Sequence, residues 1–287
     1  VSGILYIFIV LRLAFRMLKR RMSIVLVAGL LLSPSLLVFM GHIEIYAPLF
    51  PALAGFLSLA IGYFQKPKAG TLVGLAGLLY VCIKLHLSSV LLLPILLLIL
   101  LHHFTSGEDK KTWNFTWKQV ALFGLLPLFV GAMVLYLGVL GDYNDTRDPN
   151  QESLDRIFLP VLSPEPPLDR YNLLGINHLY DFLNLVMIWS PIAVLILLFG
   201  GMAFRKQIDW NAPEVIIPGV TSILYLGFFF LLNPLLGMPL DVDLMSIPAP
   251  VIALFAFSIL VSSEDSLVWS WAGGPAMAMI IMVLPFS

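Results

Sequence analysis

Apolar runs of roughly membrane-spanning length recur along the whole chain and constrain its fold more than any other feature. A spanning helix needs about 20 mostly apolar residues, because the hydrocarbon core offers its backbone no hydrogen-bond partners. Cutting the chain at charged and Pro/Gly-rich interruptions gives about ten membrane segments. They cover residues 1–15, 23–40, 46–64, 70–86, 89–104, 119–140, 181–203, 214–233, 246–262 and 268–287.

The composition agrees with this pattern. Hydrophobic residues make up 60% of the chain and charged residues 11%, whereas soluble domains have about 45–50% and about 25%. No polar block is long enough for a soluble domain, so residues 1–287 are predicted to form one membrane domain of the all-α class, a polytopic bundle of transmembrane helices. The net charge of -1 gives no support for nucleic-acid binding. The lone Cys82 excludes an intrachain disulfide and a Cys-based metal cluster.

The distribution of basic residues predicts which side each loop faces. The fourth and fifth segments are predicted to form a tight hairpin turning at His86–Ser89, and a re-entrant hairpin there would leave the alternation unchanged. The loops then alternate between two sets. One set carries most of the Lys and Arg, and the other carries only Arg147, Arg156 and Arg170, so the first set is predicted to be cytoplasmic. The cytoplasmic loops are then 16–22, 65–69, 105–118, 204–213 and 263–267, and the outer loops are 41–46, 86–89, 141–180 and 233–245.

The longest outer loop, residues 141–180, contains an amphipathic stretch. A turn-rich acidic segment, Asp142–Pro149, comes first and ends any helix entering from the membrane. Apolar residues then follow at helical spacing through residues 152–162, which predicts a short helix lying along the membrane surface. These are Leu154, Ile157, Phe158, Val161 and Leu162.

The first polar outer segment is Gly41–Tyr46, which places His42, Glu44 and Tyr46 between two apolar runs. One interpretation is an acid/base or ligand-orienting pair, His42 with Glu44, at the rim of a cavity. The alternative is an anchoring cap, in which His42 and Tyr46 lie among the lipid headgroups and Glu44 caps the following helix.

Lys84 and His86 stand near the outer end of an otherwise apolar segment. An ionisable residue in a membrane segment is by default a functional hypothesis. The ammonium and the imidazole could together hold a phosphate or diphosphate. In the alternative interpretation Lys84 only extends its charge to the interface.

His178, Asp181 and Asn184 follow one another at a spacing of three residues where the seventh segment opens. On a helix they would line one face, which could bind a sugar hydroxyl or a cation. The alternative is that Asp181 satisfies backbone N–H groups in the first helical turn.

Asp241 and Asp243 flank a single apolar residue in the last outer loop. In an extended turn the two carboxylates would point the same way, and could bind a divalent cation or act as acid and base. Solvated loop acids are the alternative. No metal site is predicted at His102 and His103, because no carboxylate or Cys lies near them in the sequence.

The order of four outer segments resembles bacterial polytopic membrane proteins of the type-C (GT-C) glycosyltransferase superfamily. The segments are Gly41–Ala47, His86-Leu87-Ser88 before Leu92-Leu93-Pro94, His178–Asn184 and Asp241–Leu244. The resemblance implies transfer of a sugar from a polyprenyl-phosphate carrier on the outer, periplasmic or extracellular, side of a bacterial inner membrane. It implies that Glu44, Asp241 or Asp243 supplies a catalytic carboxylate and that Lys84 and His86 bind the donor phosphate. It further implies that His42, Tyr46, His178, Asp181 and Asn184 orient the substrate.

The chain departs from this family pattern in two places. Val242 stands where an aromatic residue is expected between the two acids. The family also carries a catalytic acid in an outer loop between its first two helices, whereas this chain opens at Val1 directly in an apolar segment. We therefore expect that loop upstream of residue 1; without it, the activity would be lost. A noncatalytic membrane subunit working with partner proteins is one alternative function, and a transporter or permease is another.

Overall fold

A computed structural model describes residues 2–17, 47–105, 158–159, 172–201, 205–206, 208–232 and 245–262. Within these ranges all secondary-structure elements are helices, apart from one isolated β-bridge, so the predicted all-α class is confirmed for this part of the chain. A 3₁₀ segment, Leu87–Leu92, precedes α4, and a π-helical segment, Ile196–Gly200, continues α6. The α-helices are α1 (Ser2–Met17), α2 (Leu49–Gln65), α3 (Ala69–Leu85), α4 (Leu93–Thr105), α5 (Ile176–Trp189), α6 (Pro191–Leu195), α7 (Pro213–Leu231) and α8 (Ala249–Ser262).

Two of these helical stretches, Leu87–Thr105 and Pro213–Leu231, are long and apolar enough to cross a membrane. A third span results if Ile176–Trp189 and Ala193–Phe199, which meet at a bend of 108°, are taken together. Shorter apolar helices make up much of the remainder. The described residues thus support an integral membrane protein, while the predicted count of about ten spans is not confirmed.

Helix α2 is the centre of the bundle, because nearly all of its residues from Leu49 to Phe64 are buried. It alternates large side chains with small ones such as Ala52, Gly55 and Ala60, which lets neighbouring backbones approach closely. By contrast, the buried residues of α3 are Leu75, Leu79 and Cys82. Within the part of the chain that the structure describes, the core therefore lies around α2, and α3 packs against one side of it.

Side-chain contacts fix the direction of the first three helices. Tyr6 of α1 meets Phe50 edge-on at 6.5 Å between ring centroids, and an added Cβ at Gly55 would lie 3.8 Å from Ile9. The numbering rises together along both helices, so α1 and α2 run in the same direction. A Cβ at Gly55 would also lie 3.5 Å from Leu78 in α3, and one at Gly74 would lie 3.3 Å from Leu59. Helices α2 and α3 are therefore antiparallel.

A hydrogen bond joins the ends of α2 and α4. The Tyr63 hydroxyl lies 2.7 Å from Nδ1 of His103, and Tyr63 itself is fully buried. Because α3 starts at this same end, α3 and α4 are antiparallel and the chain reverses at His86. The bundle thus has one end at Tyr63 and His103, and an opposite end at His86, here called the His86 end.

The predicted surface helix over residues 152–162 is wrong at Phe158 and Leu159, the two of its residues that the structure describes. Phe158 forms an isolated antiparallel bridge with Leu232, and the Leu159 N–H donates to the Leu231 carbonyl at 3.0 Å. Two local effects override the helical spacing. Leu159 precedes Pro160, which disfavours helical backbone, and Leu231 ends a helix, whose last carbonyls lack donors within the helix.

Candidate functional site

The His86 turn and the start of α5 lie at the same end of α7. The Tyr225 hydroxyl of α7 lies beside Ser89 of the 3₁₀ segment. About one turn further on, the Phe230 ring lies 4.7 Å from the His178 ring of α5. Both contacts fall in the last two turns of α7. The His86 end is therefore built from the α3–α4 turn, the start of α5 and the end of α7.

His86 caps the 3₁₀ segment with its own side chain. Its Nδ1 accepts a hydrogen bond from the Ser88 backbone N–H at 3.2 Å and lies 2.6 Å from the Ser88 hydroxyl. An Nδ1 that accepts carries no proton, so the neutral imidazole bears its hydrogen on Nε2. Its Nδ1 is therefore engaged within the turn and does not donate to the predicted phosphate.

Burial lowers the pKa of His86, because removal from water disfavours the charged imidazolium. The unfolded chain therefore binds a proton more readily than the folded protein. Neutral His86 therefore contributes to the free energy of unfolding above the ordinary His pKa of about 6.5. That contribution should be lost as the pH falls through and below this value.

In mild detergent, we expect the free energy of unfolding to fall by about 1 kcal/mol from pH 7.5 to pH 5. This is the usual contribution of one hydrogen bond, and protonation of Nδ1 breaks its bond to the Ser88 N–H. The measurement is denaturing-detergent titration at each pH. The control is His86→Asn, whose amide oxygen can accept the same bond without titrating. An equal pH dependence in both proteins would exclude His86 as its source.

Lys84 lies exposed in the last turn of α3. Its Nζ sits 5.8 Å from the centre of the Tyr80 ring, a cation–π distance. A cation at a helix C-terminus also interacts favourably with the helix dipole. Lys84 thus presents a charge at the His86 end while its stem lies along the helix.

Three further polar residues of the His86 end, Ser88, Ser89 and Tyr225, were not predicted as site residues from the sequence. Ser88 and Ser89 are buried in the turn. The buried Tyr225 of α7 lies near Ser89 and Cys82. The two serines adjoin His86 in sequence and could have been included on that ground. Tyr225 follows Thr221 and Ser222 on α7, and these three polar residues within an apolar span were the available signal.

His178 is fully buried, in the first turn of α5. Its Nδ1 lies 3.2 Å from the Leu173 carbonyl, so Nδ1 carries the proton and donates it. Its ring packs on Phe230 and lies near Phe182, at 4.7 and 6.3 Å between centroids. His178 therefore fixes the start of α5 against the end of α7.

Asp181 and Asn184 are progressively more exposed. Asp181 is half-buried, with its carboxylate within electrostatic reach of His178, and Asn184 is exposed. The change follows from helix geometry, since each step of three residues falls about 60° short of a full turn. Asp181 and Asn184 can reach a ligand from the surface, whereas His178 supports them from beneath.

The remaining predicted site residues lie outside the described part of the chain. They are His42, Glu44, Tyr46, Asp241 and Asp243. The two roles considered for Asp241 and Asp243, binding a divalent cation or acting as acid and base, therefore stay predictions. Among the described residues, no three His, Cys, Asp or Glu side chains come together in a way that could hold a metal ion.

Comparison of the chain with protein-family models, with curated proteins and with solved structures found no match.

Proposed function

We propose that this protein is a membrane glycosyltransferase that takes a sugar from a polyprenyl-phosphate carrier on the outer face of a bacterial inner membrane. The proposal starts from the four outer segments whose order resembles the GT-C superfamily. One observation on the fold supports it: two of those segments, at His86 and His178, each approach the same end of α7 although about 90 residues separate them.

The surface around these segments suits a lipid-linked donor. Leu87 is 75% exposed beside His86, and Leu174 and Ile176 are 71% and 75% exposed before His178. An apolar prenyl chain could lie against such side chains from within the membrane. Lys84, with its exposed ammonium at the same end, would pair with the carrier phosphate.

The sugar would meet the start of α5. The Asp181 carboxylate accepts hydrogen bonds, and the Asn184 amide both donates and accepts them, which suits sugar hydroxyls. Activating the acceptor hydroxyl needs a base, a role we assign to Glu44, Asp241 or Asp243. The Lys84 ammonium and the His86 imidazole would support the departing phosphate.

Replacing Lys84 with Gln tests the donor site. In full-length protein reconstituted in vesicles with a polyprenyl-phosphate-linked hexose, we expect kcat/KM for the donor to fall at least tenfold, through a higher KM and a lower kcat. The reason is that Lys84 would hold the phosphate of the bound donor and would also stabilise the negative charge that grows on it as the sugar leaves. Lys68→Gln, at the opposite end of α3, is the matched control and should leave both constants unchanged.

The same assay separates the alternatives. The local bonding of His86 and the packing of His178 favour a noncatalytic membrane subunit as the second candidate. That candidate predicts binding of the carrier without release of sugar, and a transporter predicts movement of the carrier without transfer. Either result, or equal effects of Lys84→Gln and Lys68→Gln, would overturn the proposed reaction.

A further inference from the structure

An open groove of about 510 Å³ runs between α1, α2 and α3. Its walls are mostly apolar and include Phe8, Leu59 and Val81. Gly55 lies on its floor, where the missing side chain lets the groove reach the backbone of α2. One end of the groove opens near Ser2, Pro48 and Leu85, and the other lies at Arg12 and Ser58.

Arg12 is the charged residue of this groove. Its side chain is exposed, and no described residue forms an ion pair or hydrogen bond with it. It lies one turn before Arg16 in the sequence, at the end of the groove farther from His86. A guanidinium beside apolar walls is costly without an anion, and it forms paired hydrogen bonds with phosphate oxygens.

The shape and charge together specify an amphiphile with a negative head and an apolar tail. The groove spans about 15 Å between Ser2 and Arg12, at 1.5 Å of rise per residue of α1. Arg12 also adjoins the basic run Arg16, Lys19, Arg20 and Arg21. Basic sites between membrane helices, next to such runs, bind anionic lipid headgroups.

We propose that this groove is a binding site for an anionic phospholipid, with the phosphate on Arg12 and an acyl chain along Phe8, Gly55 and Val81. The phosphate would lie at the Arg12 end of the groove, whereas the proposed donor phosphate would lie at Lys84, near the opposite end, so the two headgroup sites are distinct and the proposal does not depend on the donor site. A lipid here would fill the space between α1 and α3 and join them to the central helix α2.

The test counts lipids retained on the full-length protein by native mass spectrometry. The protein is equilibrated in micelles holding equal amounts of phosphatidylglycerol and phosphatidylcholine. We expect the wild type to retain phosphatidylglycerol preferentially and Arg12→Gln to lower that preference about fivefold, the effect of one cation near an anionic headgroup. Lys68→Gln, which removes an exposed cation outside the groove, should have no effect.

A second pair of variants tests the apolar part of the groove. Val81→Trp places a large ring in the groove, whereas Val73→Trp places the same ring on α3 outside it. Both valines are exposed, at 44% and 73%, so neither change disturbs the core. We expect Val81→Trp to reduce retention of both lipids at least fivefold and Val73→Trp to leave retention at the wild-type level.

Several outcomes would overturn the proposal. Equal retention of the two lipids by the wild type would show that the charge of Arg12 does not select an anionic headgroup. Unchanged retention in both Arg12→Gln and Val81→Trp, with Val81→Trp less stable, would mean that another segment of the chain fills the groove. Displacement of the lipid by polyprenyl phosphate that depends on Lys84 instead of Arg12 would assign the groove to the sugar carrier.

Discussion

Replacing Trp189 with Ala is expected to lower the free energy of unfolding by about 3–5 kcal/mol, the usual cost of removing a buried large aromatic side chain. Trp189 is 1% exposed and ends α5, just before the 108° bend that leads into α6. Its ring meets Phe182 edge-on at 6.1 Å, and Phe182 in turn meets Phe230 at 5.2 Å. The indole therefore joins the bend to the end of α7, and alanine would leave a cavity there.

The neighbouring residue provides the control. Ile188 is 53% exposed, and Ile188→Ala should change stability by less than about 0.5 kcal/mol. Both variants are compared by titrating a denaturing detergent into mild-detergent micelles and following loss of helical circular dichroism. Equal stability of the two variants would show that Trp189 does not hold the bend.

Replacing His178 with Ala should lower the free energy of unfolding by about 3 kcal/mol. The change removes a fully buried ring from its contact with Phe230 and removes the donor to the Leu173 carbonyl. The lost ring leaves a cavity, and the lost bond adds about 1 kcal/mol. The readout is the same detergent titration, with donor binding measured on the folded fraction.

His178→Phe separates these two contributions. Phenylalanine keeps an aromatic ring against Phe230 and lacks the Nδ1 donor, so it should cost only about 1 kcal/mol. If His178 supports Asp181 from beneath, donor binding by folded His178→Phe stays close to wild type. A stable His178→Ala protein that has lost donor binding would contradict the packing role and make His178 a ligand contact.

The sequence predicted the helical class and the membrane environment well, because both depend on composition and on long apolar runs. The end of α3 was also predicted closely, since α3 covers Ala69–Leu85 where a segment over 70–86 was expected. A local contact ends this helix: the His86 side chain accepts a hydrogen bond from the Ser88 N–H and caps the following segment, Leu87–Leu92. The backbone pairing of Phe158 with Leu232 could not be predicted, since the two partners are distant in sequence and their own spacing favoured a helix.

For the candidate site, the polar residues could be predicted from the sequence but their contacts could not. Lys84, His86 and His178 could be selected because polar groups are conspicuous in apolar segments. Their surroundings could not be derived, since Tyr225 and Phe230 come from a helix more than 40 residues beyond His178. Periodicity likewise suggested that His178, Asp181 and Asn184 share a face. The contact with Phe230 of α7, which periodicity does not reveal, helps to bury His178, whereas Asn184 is exposed.

The contrast between α2 and α3 has a consequence for how this sequence can change over time. A helix enclosed by neighbours on every side, as α2 is from Leu49 to Phe64, has no face on which side-chain volume can vary freely. Among the described residues, the stripe of Leu75, Leu79 and Cys82 is the part of α3 that is buried in this way. Among related chains, substitutions should therefore be more frequent on α3 than on α2, and α2 should retain its alternation of large and small side chains.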